Sequence, residues 1–144
     1  MKKIGLASDH AGFELKEIIK HYIEQQGYTI HDFGTYTSEA CDYPDFAHPL
    51  ANAVESGEMD AGIALCGSGN GIGITLNKHQ GIRAAICWNV DIVRVTRGHN
   101  NANILVLPAR YITRDEALAM VDAFLDTPFD GGRHIRRIEK IPIA

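Results

Sequence analysis

The chain has 144 residues, of which 45% are apolar and 22% charged, and this composition suits one folded domain and excludes a disordered chain. Its formal net charge of −4 argues against general nucleic-acid binding, and no run approaches the roughly 18–20 apolar residues that span a membrane. Because no signal-peptide pattern is present and the three cysteines lack CxxC or zinc spacing, we expect reduced thiols in the cytosol.

Five short apolar runs predict strands. Most of them show little polar alternation, which is typical of strands buried on both faces of a parallel sheet. The predicted strands cover residues 3–8, 28–33, 61–65, 82–87 and 104–107.

Helical patterns separate these strands. The first runs from about Phe13 to Gln26 and carries one apolar stripe. The second follows Tyr43, and because a proline inside a helix costs about 3 kcal/mol, we expect it to start late or to bend at Pro49. The remaining helices are predicted over 72–78, over 90–98, and after a capping box made by Thr113 and Glu116.

This alternation predicts an α/β fold, specifically a Rossmann-like three-layer αβα sandwich around a five-stranded parallel sheet, in a single domain over 1–144. Ligands bind such sheets at the carboxyl ends of the strands. The rule groups Asp9 and His10, after the first strand, with Cys66 and the loop after the third, and with Arg110 after the fifth.

A glycine-rich loop follows the third strand, with the sequence Cys66-Gly67-Ser68-Gly69-Asn70-Gly71-Ile72-Gly73. Its spacing fits neither the dinucleotide fingerprint GxGxxG nor the phosphate loop GxxxxGK[ST]. Backbone amides at a helix N-terminus have no helical partner and attract anions. Two interpretations therefore stay open: a small anion site for a phosphate, carboxylate or enolate, and a tight turn without a ligand.

Cys66 directly precedes this loop, at the predicted N-terminal end of a helix. Thiols in such positions are commonly reactive, because a helix N-terminus favours the thiolate. A buried inert cysteine is the common alternative, and we expect it of Cys87. Among seven histidines, His10 at a strand end and His99 in a polar His-Asn-Asn loop are best placed for chemistry. No spacing supports a metal site.

Two arginines, Arg133 and Arg137, lie four residues apart near the C-terminus. On a helix they share one face, where two guanidinium groups can bind a phosphate dianion. A solvated basic face is an equal alternative.

Six segments carry a resemblance that covers the whole chain: SDHAGFELK, DYPDFA, LCGSGNGIGI, NKHQGIRAA, RGHNNANILVLPAR and FDGGRHIRRI. The sequence resembles the type B ribose-5-phosphate isomerases, within the wider family of ribose and galactose phosphate isomerases. The resemblance implies interconversion of D-ribose 5-phosphate and D-ribulose 5-phosphate without a metal or organic cofactor. It also implies a site shared between two subunits, hence at least a homodimer, with dimer or tetramer left open.

By position, the resemblance implies that Cys66 removes the proton from sugar carbon 2 and that His99 assists ring opening. The amides of 67–71 would hold the developing enediolate oxygen. The implied substrate-binding residues are Asp9, His10, Gly67, Ser68, Gly69, Asn70, Gly71, Asn100, Arg110, Arg133 and Arg137.

A second subtype of the family uses a glutamate after the loop and lacks the cysteine. Ile72 occupies that position here, so the chain resembles the cysteine subtype. Two alternatives stay open beside a ribose phosphate isomerase. One is an isomerase of a six-carbon phosphate, such as allose or galactose 6-phosphate, and the other is a non-catalytic module that binds a sugar phosphate.

Overall fold

Five parallel strands form one sheet in the computed structural model, which describes residues 2–143. The strands are β1 (Lys3–Ser8), β2 (Thr29–Asp32), β3 (Ala61–Cys66), β4 (Ala84–Ile86) and β5 (Ile104–Pro108). Their order across the sheet is β2-β1-β3-β5-β4, and every neighbouring pair runs parallel. This is the Rossmann-like α/β sheet that the alternating pattern predicted.

Six helices accompany the sheet. They are α1 (Phe13–Gln25), α2 (Pro44–Glu55), α3 (Asn70–Leu76), α4 (Val90–Asn100), α5 (Arg114–Asp126) and α6 (Arg133–Glu139). Among residues 2–143 no helix combines the length and the apolar character that crossing a bilayer requires. The predicted capping box of α5 is confirmed, because the Thr113 and Glu116 side chains each accept from the other's backbone amide.

The core has two parts, one on each face of the sheet. On one face, Ile19 of α1, Val93 of α4 and Phe124 of α5 are buried against the strands. On the other face, Leu50 of α2 and Ile72 of α3 are buried in the same way. Strands β1, β3, β4 and β5 therefore send side chains into both layers, which explains their apolar sequences and confirms the predicted three-layer sandwich.

The winding of the chain reverses between β1 and β3, because the chain returns across β1 after forming β2. Open α/β sheets bind ligands outside the carboxyl ends of the strands at such a switch point. The backbone amide of Asp9 donates to the carbonyl of Leu65 at 3.2 Å, which holds the two strand ends side by side.

Of the two alternatives predicted for Pro49, a late start of helix α2 was wrong. The helix begins at Pro44, where proline suits the first helical position, and it continues through Pro49 to Glu55. The ring of Pro49 lies on the exposed side, while the opposite side buries Leu50 and Val54. Burial of that face offsets the hydrogen bond that the proline cannot make.

Helix α4 extends further than its apolar pattern indicated. It reaches Asn100, so His99 lies in its last turn rather than in the predicted loop. Asn101 ends the helix in the left-handed conformation, with φ of 47°, a role that asparagine fills less often than glycine. The polar sequence around His99, predicted as a loop, therefore forms the end of helix α4.

Lys16 is the one lysine that is fully buried among residues 2–143, although it lies in an amphipathic helix. Its ammonium group contacts the carboxylate of Asp32 at 2.6 Å and that of Glu17 at 3.2 Å. Asp32 in turn accepts from the Gly34 amide at 2.9 Å and faces Lys20 at 3.5 Å. This ion pair joins α1 to the end of the edge strand β2.

We expect Lys16→Met to lower the free energy of unfolding by about 3 kcal/mol, because it leaves the buried Asp32 carboxylate with weaker partners. Lys20→Met is the matched control. It removes the partly exposed ion pair with Asp32, and this loss should lower the free energy of unfolding by about 1 kcal/mol or less. Urea denaturation at one fixed protein concentration measures both. Equal losses in the two variants would contradict the dominant role of Lys16.

Candidate active site

The glycine loop turns the chain from the end of β3 into α3. Gly69 caps the helix with φ of +81°, a conformation that favours glycine, and the amide of Gly73 donates to its carbonyl at 3.0 Å. The hydroxyl of Ser68 accepts from the Asn70 amide at 3.2 Å. Helix α3 therefore starts at Asn70, two residues before the predicted start at Ile72.

Several backbone amides of this loop are free. Within the described residues, the amides of Ser68, Gly69 and Gly71 have no hydrogen-bond acceptor. These groups lie at the positive end of a helix, although α3 is short. Such donors favour an anion or a developing negative charge placed above the loop.

A surface pocket of about 330 Å³ opens beside these amides. Cys66 lies in its wall and is 5% exposed, so its sulfur is shielded but not sealed in the core. The carboxylate of Asp9 lies in the same wall and accepts from the Gly12 amide at 3.0 Å. The lining residues are Asp9, Tyr43, Cys66, Gly67, Ser68, Gly71, Arg110 and Tyr111.

Arg110 lies directly against the loop. Its backbone amide donates to the Gly67 carbonyl at 3.0 Å. A Cβ atom at Gly67 would lie 3.2 Å from Nη1 of Arg110, so the guanidinium group packs on the bare backbone. Glycine at position 67 thus brings a positive charge close to Cys66, where it can attract an anionic ligand.

Tyr43 belongs to this pocket, and sequence analysis did not include it. Its ring lies on Gly71, because a Cβ atom there would lie 2.5 Å from Cζ of the ring. Tyr111 lies at the rim and is exposed. The available signal was the DYPDFA segment, whose tyrosine precedes a helix, but nothing in the local pattern places that ring on the distant loop.

His10 lies next to Asp9 but does not line the pocket. Its Nδ1 atom accepts from the Cys41 amide at 3.3 Å, and the Cys41 sulfur lies 3.9 Å from the same nitrogen. The contact fixes His10 to the loop that leads to Tyr43.

The other predicted residues lie elsewhere in the chain. Helix α4 follows the carboxyl end of β4 and leads back to the amino end of β5, so His99 and Asn100 lie at the opposite edge of the sheet from Cys66. Helix α6, which carries Arg133 and Arg137, packs near α4. One chain therefore presents two separate groups of candidate residues.

The second group includes two residues that sequence analysis did not single out, His134 and Asp130. The rings of His99 and His134 stack with centroids 4.4 Å apart. Burial lowers the pKa of His134, as do the charges of His99, Arg133 and Arg137, whereas Asp130 raises it.

Cys87 is fully buried and confirms the expectation of an inert thiol. Burial raises its pKa to about 12. The sulfur lies 3.7 Å from the carbonyl of Ala85, in the apolar layer beside α4 and α5.

Comparison with known proteins places this geometry among sugar phosphate isomerases. The sequence profile of the family described as Ribose/Galactose Isomerase matches residues 4–141. Ribose-5-phosphate isomerase B of Escherichia coli K12 is 44% identical over 142 residues, which cover 98% of this chain and 95% of that protein. A probable ribose-5-phosphate isomerase B of Mycoplasma genitalium is 41% identical over 140 residues, covering 96% of this chain and 92% of the relative.

Solved structures agree with the sequence relatives. A ribose 5-phosphate isomerase from Thermotoga maritima superimposes with a TM-score of 0.97 at 53% identity and covers 99% of both chains. Ribose-5-phosphate isomerase B from Mycoplasma genitalium, solved with bound ribulose 5-phosphate, has a TM-score of 0.93 at 40% identity. The match covers 96% of this chain and 93% of that one.

The burial of Cys87 predicts its resistance to alkylation in the folded protein. Because a pKa of about 12 leaves roughly one thiolate in ten thousand at pH 8, iodoacetamide should leave Cys87 unmodified while it labels the half-buried Cys41. Peptide mass spectrometry before and after urea denaturation measures both sites. Labelling of Cys87 as fast as Cys41 in the native protein would contradict the prediction.

Proposed function

The chain belongs to the ribose/galactose isomerase family, and we propose that it interconverts D-ribose 5-phosphate and D-ribulose 5-phosphate through an enediolate. One observation carries the mechanism: a single pocket joins the Cys66 thiol, the unpartnered amides of the glycine loop and the Arg110 guanidinium. A base beside an anion hole is what proton transfer between adjacent carbons requires. The named relatives are isomerases of this substrate, which favours catalysis over a module that only binds.

The reaction begins with ring opening. His99 gives a proton to the ring oxygen as the bond from that oxygen to carbon 1 breaks, and the carbon 1 hydroxyl loses its proton to water, which leaves an aldehyde at carbon 1. Asp9, at the wall of the pocket, holds sugar hydroxyls, and Asn100 contacts the sugar from the other group of residues.

Proton transfer then proceeds at Cys66. The thiolate removes the proton from carbon 2, and the electron pair moves toward the carbon 1 oxygen to form the enediolate. The free amides of Ser68, Gly69 and Gly71, with the Ser68 hydroxyl, hold the negative oxygen. The proton of the carbon 2 hydroxyl then moves to the carbon 1 oxygen, and Cys66 returns its proton to carbon 1, which completes the ketose and regenerates the thiolate.

The phosphate supplies binding energy away from the reacting carbons, which orients the sugar. Arg110 binds it from the pocket side, and Arg133 and Arg137 share a face of α6 that presents two more guanidinium groups. His10 completes this set. The proposed chemistry uses side chains and backbone amides, without a metal or organic cofactor, in the cytosol.

A second copy of the chain completes this site in our proposal. The Cys66 group lies at the carboxyl edge of the sheet and the His99 group at the amino edge, so one chain alone separates the base from the ring-opening acid. In a two-fold dimer the same face of each chain meets itself, and an axis perpendicular to the strands brings opposite edges together. Two composite sites then form per homodimer, and a tetramer would repeat them.

The face beside β4 fits such an interface. This strand is an edge of the sheet, and three large apolar residues near it are exposed: Ile74 at 62%, Trp88 at 57% and Val95 at 44%. Ile74 shares a groove with Ala84 and Ile86 of the strand. Contiguous exposed apolar surface of this kind is typical of an interaction site.

Removal of the proposed base tests the reaction. We expect Cys66→Ala to lower kcat for ribose 5-phosphate by about 10²–10⁴-fold, because general base catalysis is lost while the fold is kept. The matched control is Cys41→Ala, outside the pocket, which should retain activity. Full activity of Cys66→Ala would overturn the role of the thiol.

The same assay separates the substrates. Wild-type rates on ribose 5-phosphate, allose 6-phosphate and galactose 6-phosphate should rank ribose first. A higher kcat/KM for a hexose phosphate would favour the six-carbon alternative instead. Substrate binding without exchange of the carbon 2 proton in heavy water would favour the non-catalytic module.

Mixed dimers test the shared site. We expect Cys66→Ala and His99→Gln proteins, each nearly inactive, to regain about a quarter of wild-type activity after equal amounts are dissociated and reassociated. Half of the dimers are then mixed, and each mixed dimer has one intact and one doubly damaged site. The control mixes two Cys66→Ala preparations. Failure of the mixed sample to gain activity, with subunit exchange shown by mass spectrometry, would place both residues in sites within one chain.

A further inference from the structure

We propose that His99, Asp130 and His134 form a binding site for a divalent transition-metal ion such as Zn²⁺, at the opposite edge of the sheet from the Cys66 pocket. One ligand atom from each side chain lies within 4.8 Å of the other two. His99 lies at the end of α4, Asp130 lies in the turn before α6, and His134 lies in the first turn of α6. Their spacing in the sequence matches no metal motif, so only the fold brings them together.

Backbone contacts hold this cluster in place. The amide of Asp130 donates to the Gly98 carbonyl at 3.0 Å, which ties the turn to the last residues of α4. A Cβ atom at Gly98 would lie 3.1 Å from Oδ2 of Asp130, so the carboxylate lies close against the helix beside His99. The amide of His134 donates to the Gly131 carbonyl at 3.3 Å at the start of α6.

Two imidazoles and one carboxylate are a common zinc ligand set, and they leave a fourth position for water. With bonds of about 2.0–2.2 Å, the ligand atoms of a tetrahedral zinc ion lie roughly 3.3–3.6 Å apart. The ligand atoms of the three side chains now lie within 4.8 Å of one another, and side-chain rotation can bring them to the distances that zinc requires. His99 and Asp130 are exposed and free to turn, whereas the stacked rings, 13° from parallel, must tilt to aim both nitrogens at one ion.

Charge limits the affinity and the choice of ion. Arg133 and Arg137 lie close enough to act on His134, and they oppose a cation. The Asp130 carboxylate offsets part of this repulsion. Imidazole nitrogen favours zinc, cobalt, nickel or copper, whereas Mg²⁺ and Ca²⁺ prefer oxygen ligands, so these two ions should not bind.

The consequence for activity rests on the proposed function. A metal ion bound to His99 occupies the nitrogen that would give its proton to the ring oxygen. Zn²⁺ bound at His99 therefore inhibits the isomerase by removing the acid. The site would act as a sensor of free transition metal rather than as a cofactor site.

Cobalt titration of the full-length Cys66→Ala protein tests the binding step, because this background removes competition by the thiol and does not depend on activity. We expect one Co²⁺ per chain with the visible absorption of tetrahedral cobalt. The added change His134→Gln should weaken binding by at least about tenfold. The matched control is His48→Gln, because His48 and His79 form the other close imidazole pair, at 2.7 Å, and binding should not change.

Two results would overturn the site: equal affinity with and without His134→Gln, or a loss of binding in His48→Gln instead. Zn²⁺ inhibition of ribose 5-phosphate turnover tests the consequence. The half-inhibiting concentration should rise at least about tenfold in Asp130→Asn, with Mg²⁺ inert in both proteins. Equal inhibition of wild type and Asp130→Asn would overturn the claim that a metal ion on His99 causes the inhibition. The cobalt titration tests the existence of the metal site independently of this result.

Discussion

The arrangement of the pocket depends on a set of backbone amides that the loop after β3 leaves without acceptors. Unpaired amides are stable only where water or an anion can reach them, so this loop must lie at the surface. The switch point between β1 and β3 provides that place, since the chain departs from the sheet in opposite directions there. Ser68 and Gly71, two of the residues with free amides, line the same opening as Cys66, on either side of Gly69 in its left-handed conformation.

In the function that we propose, the base and the ring-opening acid come from different chains, and the parallel sheet explains this arrangement. Each helix crosses from the carboxyl edge to the amino edge, so residues at a helix end lie a full strand length from residues at a strand end. Cys66 belongs to a strand end and His99 to a helix end. The composite site that we propose between two copies satisfies both positions without lengthening the fold, and activity would then depend on assembly.

Sequence reasoning succeeded where one local rule decides the structure. Asp9, Cys66 and Arg110 follow consecutive strand ends, and the rule for parallel sheets places all three at one edge. It failed where a tertiary contact decides. Tyr43 enters the pocket because Gly71 lacks a Cβ atom, and Lys16 is buried because Asp32 meets it from another element.

Two further errors have the same origin. Helix propensity alone predicted a late start or a bend at Pro49, but α2 already begins at Pro44, because burial of its apolar face outweighs the cost of the proline. The polar run after Gly98 concealed a helix end that Asn101 stabilises. The second group of residues, around His99, was not predictable as a cluster. Asp130 reaches it through a backbone bond to Gly98, and no periodicity encodes such a bond.

The buried ion pair of Lys16 connects the fold to the pocket. Asp32 receives the Lys16 ammonium group on one oxygen and the Gly34 amide on the other, and its carbonyl accepts from the Tyr36 hydroxyl at 2.9 Å. These bonds fix the start of the segment that ends with Tyr43 on the glycine loop. Since a buried charge pair adds little net stability compared with an apolar core, its value here is in orienting that segment. Stability at the edge strand and order at the pocket are thus two effects of one contact.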